Sequence, residues 1–203
     1  MHINAGKTGI TSIVLTMAFL GMGCREGGGT GPEIPISQLT LLISRVPPVF
    51  TVEENAQFQA LVPGASGYVT DNQAATWSTT IGTITQTGLF TAPATPGTGV
   101  VRITLKSNPS VTDQRDITVV ATPRILSFTA TPSTIPHGGT SVLKAEFSEG
   151  SGTVDPSVGA VISGQSYPVS PQSTTTYTLK VKNAAGTEIT LPVSVSLAPD
   201  GSI

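Results

Sequence analysis

Apolar and polar residues alternate one by one in block after block of this chain. Val101, Ile103 and Leu105 are interleaved with Arg102, Thr104 and Lys106, and Phe58, Ala60 and Val62 stand against Gln57 and Gln59. Successive side chains of an extended backbone leave opposite faces, so a period of two specifies half-buried strands; a helix would repeat its apolar residues at three and four. The pattern returns at Leu39, Leu41 and Ile43, at Ile117 and Val119, and at Leu126, Phe128 and Ala130. It continues at Leu143, Ala145 and Phe147, at Tyr177, Leu179 and Val181, and from Ile189 to Leu197. With 22 glycines and 16 prolines among 203 residues, turns are frequent and helices few. Nothing after residue 25 reads as a long amphipathic helix, and the expected fold class is all-β.

Residues 76–106 form the centre of this plan. They hold the sole tryptophan, Trp77, on a Thr-rich run, then turns at Gly82 and Gly88, then the alternating run that closes on Lys106. Pro47-Pro48 interrupts the first alternating block. A double proline lacks the amides of a central strand, which places it at an edge or where the chain passes between sheets. Ser107-Asn-Pro-Ser110 is a turn by composition, and Asn183-Ala-Ala-Gly186 a hairpin loop. Pro192 interrupts the donors of the longest alternation and suits an edge strand.

The N-terminal segment has a different character. His2 and Lys7 precede an apolar run over residues 10–20, of signal-peptide length and too short for a bilayer, which takes roughly 20 apolar residues. The run ends in Leu20-Gly-Met-Gly-Cys24, which resembles the lipobox of bacterial lipoproteins. The resemblance implies that Cys24 is lipidated and becomes the mature N-terminus. It departs from the family in having Gly21 three residues before the cysteine, with Leu20 one place earlier. Gly21-Met22-Gly23 also fits the small-x-small site of ordinary secretory cleavage, so both routes stay open. Cys24 is the only cysteine, so no intrachain disulfide forms and each module depends on burial alone. Residues 25–32 are Gly-rich without apolar content and read as a tether of roughly 20 Å between Cys24 and Ile36. In the lipoprotein resemblance Arg25, in place of an aspartate after the cysteine, implies the outer membrane or cell surface.

The expected organisation is a signal peptide over 1–23, lipidated Cys24 and tether over 24–36, one domain over 37–121, a second over 122–198, and a tail over 199–203. About seven short strands are expected in the first domain, the count of an immunoglobulin-like sandwich. Its Asn55-Ala-Gln-Phe-Gln-Ala60, Ala75-Thr-Trp-Ser78, Gly82-Thr-Ile-Thr85, Thr87-Gly-Leu-Phe-Thr-Ala-Pro-Ala94 and Val101-Arg-Ile-Thr104 resemble bacterial Ig-like domains of the group 2 type. That likeness covers nearly all of 40–120. Glu53-Glu54-Asn55 stands where the family often has a Gly-Gly turn. In the second domain, Leu126-Ser-Phe-Thr-Ala-Thr-Pro132 and Ser173-Thr-Thr-Thr-Tyr-Thr-Leu179 resemble another Ig-like or PKD-like module. There Tyr177 is placed to act as a tyrosine corner.

Candidate sites are few. Charged residues are 11% and the net charge is -2, leaving no basic field for nucleic acid. Outside the N-terminal segment the single histidine, His137, lies in a Pro-His-Gly-Gly turn, so no Ser/His/Asp arrangement is in view and enzymatic chemistry is not expected. Asp71, Asp113, Asp116, Asp155, Glu53 and Glu54 lie in or beside expected loops without a DxD run and read as solvated charge, so neither metal nor cofactor is expected. Trp77 is expected in the core. Tyr68, Asp71 and Tyr167 are the candidate ligand-loop residues, because loops carry most binding groups in this architecture. The expected function is a lipid-anchored envelope protein whose modules serve as spacer, adhesion or protein-interaction domains. The alternative is a carbohydrate-binding or accessory subunit of an envelope polysaccharide system. Expected partners are the membrane, through lipid on Cys24, and an envelope protein or polysaccharide.

Overall fold

The computed structural model describes residues 40–43, 48–64 and 67–199. The expected signal peptide, Cys24 and the expected tether lie outside them. The alternating blocks become strands: β1 (Thr40–Ile43), β2 (Val49–Thr51), β3 (Asn55–Gly64), β4 (Gly67–Thr70), β5 (Ala75–Thr79), β6 (Thr83–Ile84), β7 (Leu89–Thr91), β8 (Gly97–Leu105) and β9 (Thr112–Val120). Then follow β10 (Arg124–Thr131), β11 (Thr134–Ile135), β12 (Ser141–Ser148), β13 (Ser151–Asp155), β14 (Gly159–Val161), β15 (Ser166–Val169), β16 (Thr175–Lys182) and β17 (Glu188–Leu197). A 3₁₀ turn over Asn72–Ala74 is the one helical element among the described residues.

Two sandwiches result, sharing no sheet. In the first, β1-β3-β7-β6 with β4 beside β3 faces β2-β9-β8-β5; in the second, β10-β12-β15 faces β11-β17-β16-β13-β14. The first holds nine strands, where about seven were expected, because its opening strand is divided between the sheets and short β4 and β6 add to the count. That division falls where the prolines stand: β1 is in one sheet, β2 in the other, with Pro48 just before β2. The second sandwich repeats the device, passing from β10 to β11 across Pro132. In both, the transferred piece runs parallel to the last strand, Phe50 opposite Val119 and Ile135 opposite Leu197.

The pleat sorts the side chains as the alternation requires. Phe58, Ala60 and Val62 of β3 are buried while Gln57 and Gln59 are exposed, and Leu143, Ala145 and Phe147 of β12 are buried in the same way. The first core gathers Phe50, Phe58 and Phe90 with Trp77, Val101, Ile103, Ile117 and Val119. Its three phenylalanine rings have centroids 5.4 to 5.9 Å apart, in tilted and edge-on pairs. Such pairs contribute about 0.5–1.5 kcal/mol each beyond their area burial. The second core gathers Phe128, Ile135, Leu143, Ala145, Phe147, Val154, Tyr177, Leu179, Val181 and Val195.

The Gly-Leu-Phe-Thr-Ala-Pro run has a steric logic. Gly88 has φ +83°, and a Cβ there would lie 2.6 Å from the Phe58 carbonyl oxygen and 3.0 Å from the Trp77 ring. Only glycine permits that approach; Phe90 and Ala92 then enter the core. At the turn after β2, Glu53 takes φ +63° although it carries a side chain. The left-handed region costs a non-glycine residue about 1–2 kcal/mol. The hydrogen bonds from Glu54 N to Thr51 O (3.1 Å) and from Thr51 N to Glu54 Oε2 (2.8 Å) hold the turn nonetheless. Pro192 lies on β17 opposite Thr178 of β16, while β11 pairs with β17 only at Ser196 and Leu197. Pro192 therefore sits on a stretch of β17 paired along one side, which explains why a missing amide is tolerated there.

Candidate functional site

Tyr68 and Asp71 are brought to one pole of the first sandwich; Tyr167 is in the other sandwich. The pole is built where β3 ends. Pro63 pairs with Tyr68 across the β3–β4 hairpin, and the chain then turns through Asp71. Asp71 caps the 3₁₀ turn, its Oδ1 accepting from Gln73 N (2.8 Å) and Ala74 N (3.2 Å). A carboxylate accepting from the first amides of a helical turn satisfies donors that have no partner within it. Val62, Val69, Leu105 and Val111, with Asp71 and Asn108, line a shallow groove of about 400 Å³ there. Tyr68 is 38% exposed, a ring presented to solvent from a strand.

Tyr167 differs from its expected loop setting. It stands on β15 opposite Leu143, and its hydroxyl accepts from Ile162 N at 2.7 Å. Half-buried and engaged by its own sandwich, it braces the 162–165 turn. Tyr177 lies on β16 and is 4% exposed; burial pushes its phenol above the ordinary value of 10.0. It packs as a core aromatic of the second sandwich. Trp77 is 3% exposed and donates from Nε1 to Asn72 O at 3.1 Å, so the indole is core as expected. His137 is exposed between β11 and β12.

The carboxylates are dispersed. Asp113 stands near the start of β9 and Asp155 ends β13, both beside loops as expected, while Asp116 lies within β9 rather than beside a loop. Asp155 pairs with Lys180 at 3.0 Å, which raises the lysine above its ordinary value. Among the described residues no three His, Cys, Asp or Glu side chains stand together as a metal site would require.

Two polar residues carry structural duties that the alternation could not reveal. Asn72 accepts from Ala60 N (2.8 Å) and donates to Phe58 O (3.0 Å) and Thr87 O (2.6 Å), tying β3 to the turn before Gly88. Gln86 accepts from Trp77 N and donates to Trp77 O, both at 3.2 Å. One side-chain amide thereby replaces a neighbouring strand along the open side of β5, shielding an edge that would otherwise be a pairing template.

A second polar cluster lies where the sandwiches meet. Asn183, 7% exposed, donates to Thr51 Oγ1 (3.2 Å) and to Ala121 O (2.9 Å). Thr51 and Thr187 share a hydrogen bond through their hydroxyls. A groove of about 480 Å³ runs beside them, lined by Val120, Ala121, Glu149, Ser151 and Lys182.

No protein-family model matches the sequence, and no curated protein is similar to it. Among solved structures, the chain is similar to the C-terminal 282-residue fragment of intimin in complex with the intimin-binding domain of the translocated intimin receptor. Identity is 17% and the TM-score 0.52, over 80% of this chain and 65% of that one. The chain thus spans just under two thirds of that fragment's length. It also matches FdeC, an Escherichia coli adhesin, at 12% identity and TM-score 0.43, covering 80% of this chain and 65% of that one. Extracellular domains 3–5 of Drosophila OTK match at 13% and 0.47, covering 80% and 63%. At such identities the likeness is one of fold: the intimin fragment supports tandem Ig-like all-β sandwiches.

Proposed function

We propose that this chain is a lipid-anchored cell-envelope protein whose two Ig-like sandwiches, divided between Ala121 and Thr122, serve as spacer, adhesion or protein-interaction modules. One observation carries the reading: the only cysteine, Cys24, follows an apolar run of signal-peptide length after the three residues Gly21-Met22-Gly23 and stands directly before a glycine-rich segment. Thioether-linked diacylglycerol with an N-acyl chain exceeds the two chains that stable anchoring requires.

The path of the chain supports it. Thr40 pairs with Leu61 at the pole farthest from Thr51, and Thr51 lies at the junction with the second sandwich. The first strand of the first sandwich therefore starts at the pole opposite its junction with the second. Tyr68, Asp71 and their groove lie at the Thr40 pole of the first sandwich, while the loops over 132–140, 156–158 and 170–174 lie at the end of the second sandwich opposite Asn183. The action of such a molecule is geometric: it presents those loops at a set distance from the membrane. The intimin fragment is a protein of this fold held in complex with a protein partner, which supports an interaction role here.

Metabolic labelling with radioactive palmitate tests the anchor. The natural chain is expected to take up label and fractionate with membranes, and Cys24→Ala to lose both. A labelled Cys24→Ala protein ends the proposal.

A further inference from the structure

We infer that Asn183 is a pin that locks the two sandwiches into one fixed orientation, making the pair a single rigid element. The residue opens the loop between β16 and β17, at the end of the second sandwich that meets the first. Its Oδ1 faces its own loop, accepting from Ala185 N (3.0 Å) and Thr187 N (3.0 Å). Its Nδ2 faces the other way, towards Thr51 Oγ1 at 3.2 Å and the carbonyl of Ala121 at 2.9 Å. Two amide donors on one side and a carbonyl acceptor on the other leave a single orientation for the side chain. In it, both protons and the oxygen are satisfied at once.

The partners span the junction. Thr51 ends β2 of the first sandwich, Ala121 follows the last strand of that sandwich, and Thr187 leads into β17. Thr51 and Asn183 are both 7% exposed, so their bonds form where water competes little. A buried donor left without its acceptor loses its full solvation, which makes any other arrangement of the junction unfavourable. The connection reinforces this. Only Ala121, Thr122 and Pro123 separate β9 from β10, and Pro123 is buried with its φ fixed by its ring. Domain pairs joined by small polar contacts move by default; here a short proline-bearing connection and a fully satisfied buried amide act on the same hinge. The inference is independent of whether Cys24 carries lipid.

Asn183→Asp separates the pin from the loop. The carboxylate still accepts from Ala185 and Thr187, but it sets an acceptor against the Ala121 carbonyl. Residual dipolar couplings on the weakly aligned full chain read the outcome. In the natural protein, couplings from 48–120 and from 124–197 are expected to fit one alignment tensor. In Asn183→Asp they are expected to need two, with amide shifts inside both cores unchanged. Thr51→Val, which removes the shared hydroxyl and leaves the hairpin intact, is expected to loosen the pair in the same direction. Two tensors in the natural protein overturn the inference, as does one common tensor in a folded Asn183→Asp. Should Asn183→Asp fail to fold, a common tensor in Thr51→Val overturns it equally.

Discussion

The two sandwiches place the same plan on different side chains. Both send their first strand across to the opposite sheet at a proline, and both pair the transferred piece in parallel with the final strand. Both bury a large-small-large triplet from the long second strand, Phe58-Ala60-Val62 in one and Leu143-Ala145-Phe147 in the other. The first fills its centre with three phenylalanines and a tryptophan. The second has no tryptophan, and on β13, which like β5 pairs across to the long return strand, it presents Val154 and Gly152. The missing volume is supplied from the side: Phe147 lies so close over Gly152 that a Cβ there would come 2.5 Å from its ring. What the architecture requires is filled volume at set positions on the pleat, and different residues from different strands can fill it.

Three substitutions break or sharpen that comparison. Phe58→Ala removes the ring that touches both Phe50 and Phe90 and is expected to destabilise the first sandwich by about 3–5 kcal/mol. Fluorescence of Trp77, which reports on that sandwich alone, is expected to show the loss in denaturant while the resonances of the second sandwich persist. Simultaneous loss of both would refute the picture of two separate cores. Next, Glu53→Gly relieves the left-handed strain at the turn after β2. It is expected to stabilise the first sandwich by about 1 kcal/mol in the same Trp77 titration. No gain would mean that the carboxylate side chain offsets the strain.

The smallest effect concerns the second sandwich and pH. Burial raises the phenol of Tyr177 above 10.0, so the folded state holds the proton more tightly than the unfolded chain. That contribution is fully present below pH 10 and is lost as pH rises through the folded value. Lys180, raised by its hydrogen bond and charge interaction with Asp155, loses stability in the same direction as pH rises. Melting of the second sandwich is therefore expected to fall at alkaline pH, with Tyr177→Phe flattening the tyrosine share of the decline. An unchanged decline in Tyr177→Phe would assign all of it to other groups.

Some of this was legible from residue order because it depends on residue order. Alternation fixes which side chains share a face, and it placed Phe58, Ala60, Val62, Leu143, Ala145, Phe147 and Val101 inside, while Trp77 was expected there from the Ig-like resemblance. Pro47-Pro48 pointed to an edge or a sheet crossing, since a residue without an amide cannot donate to a ladder, and the chain does change sheet there; the second crossing, at Pro132, was not read from the sequence. Glycine at position 88 pointed to a turn that the fold contains, whereas the left-handed Glu53, at the departure from Gly-Gly, was not read from the sequence. The roles of Asp71, Tyr167 and Tyr177 were less accessible, because a titratable or aromatic side chain looks alike in sequence whether it caps a turn, braces a loop or fills a core.

The sequence by itself determined the all-β class, the inward faces and most of the turns, and offered the double proline as one place where the chain could change sheet. Only the tertiary structure decided what lies opposite what. Asn183 reads as an ordinary loop asparagine, and its partners Ala121 and Thr51 are 62 and 132 residues away. Gln86 likewise reads as a surface residue until β5 is seen to lack a neighbour on that side. Periodicity is a property of neighbours along the chain, whereas hydrogen-bond partners are neighbours in space, and those exist only once folding has closed the distance.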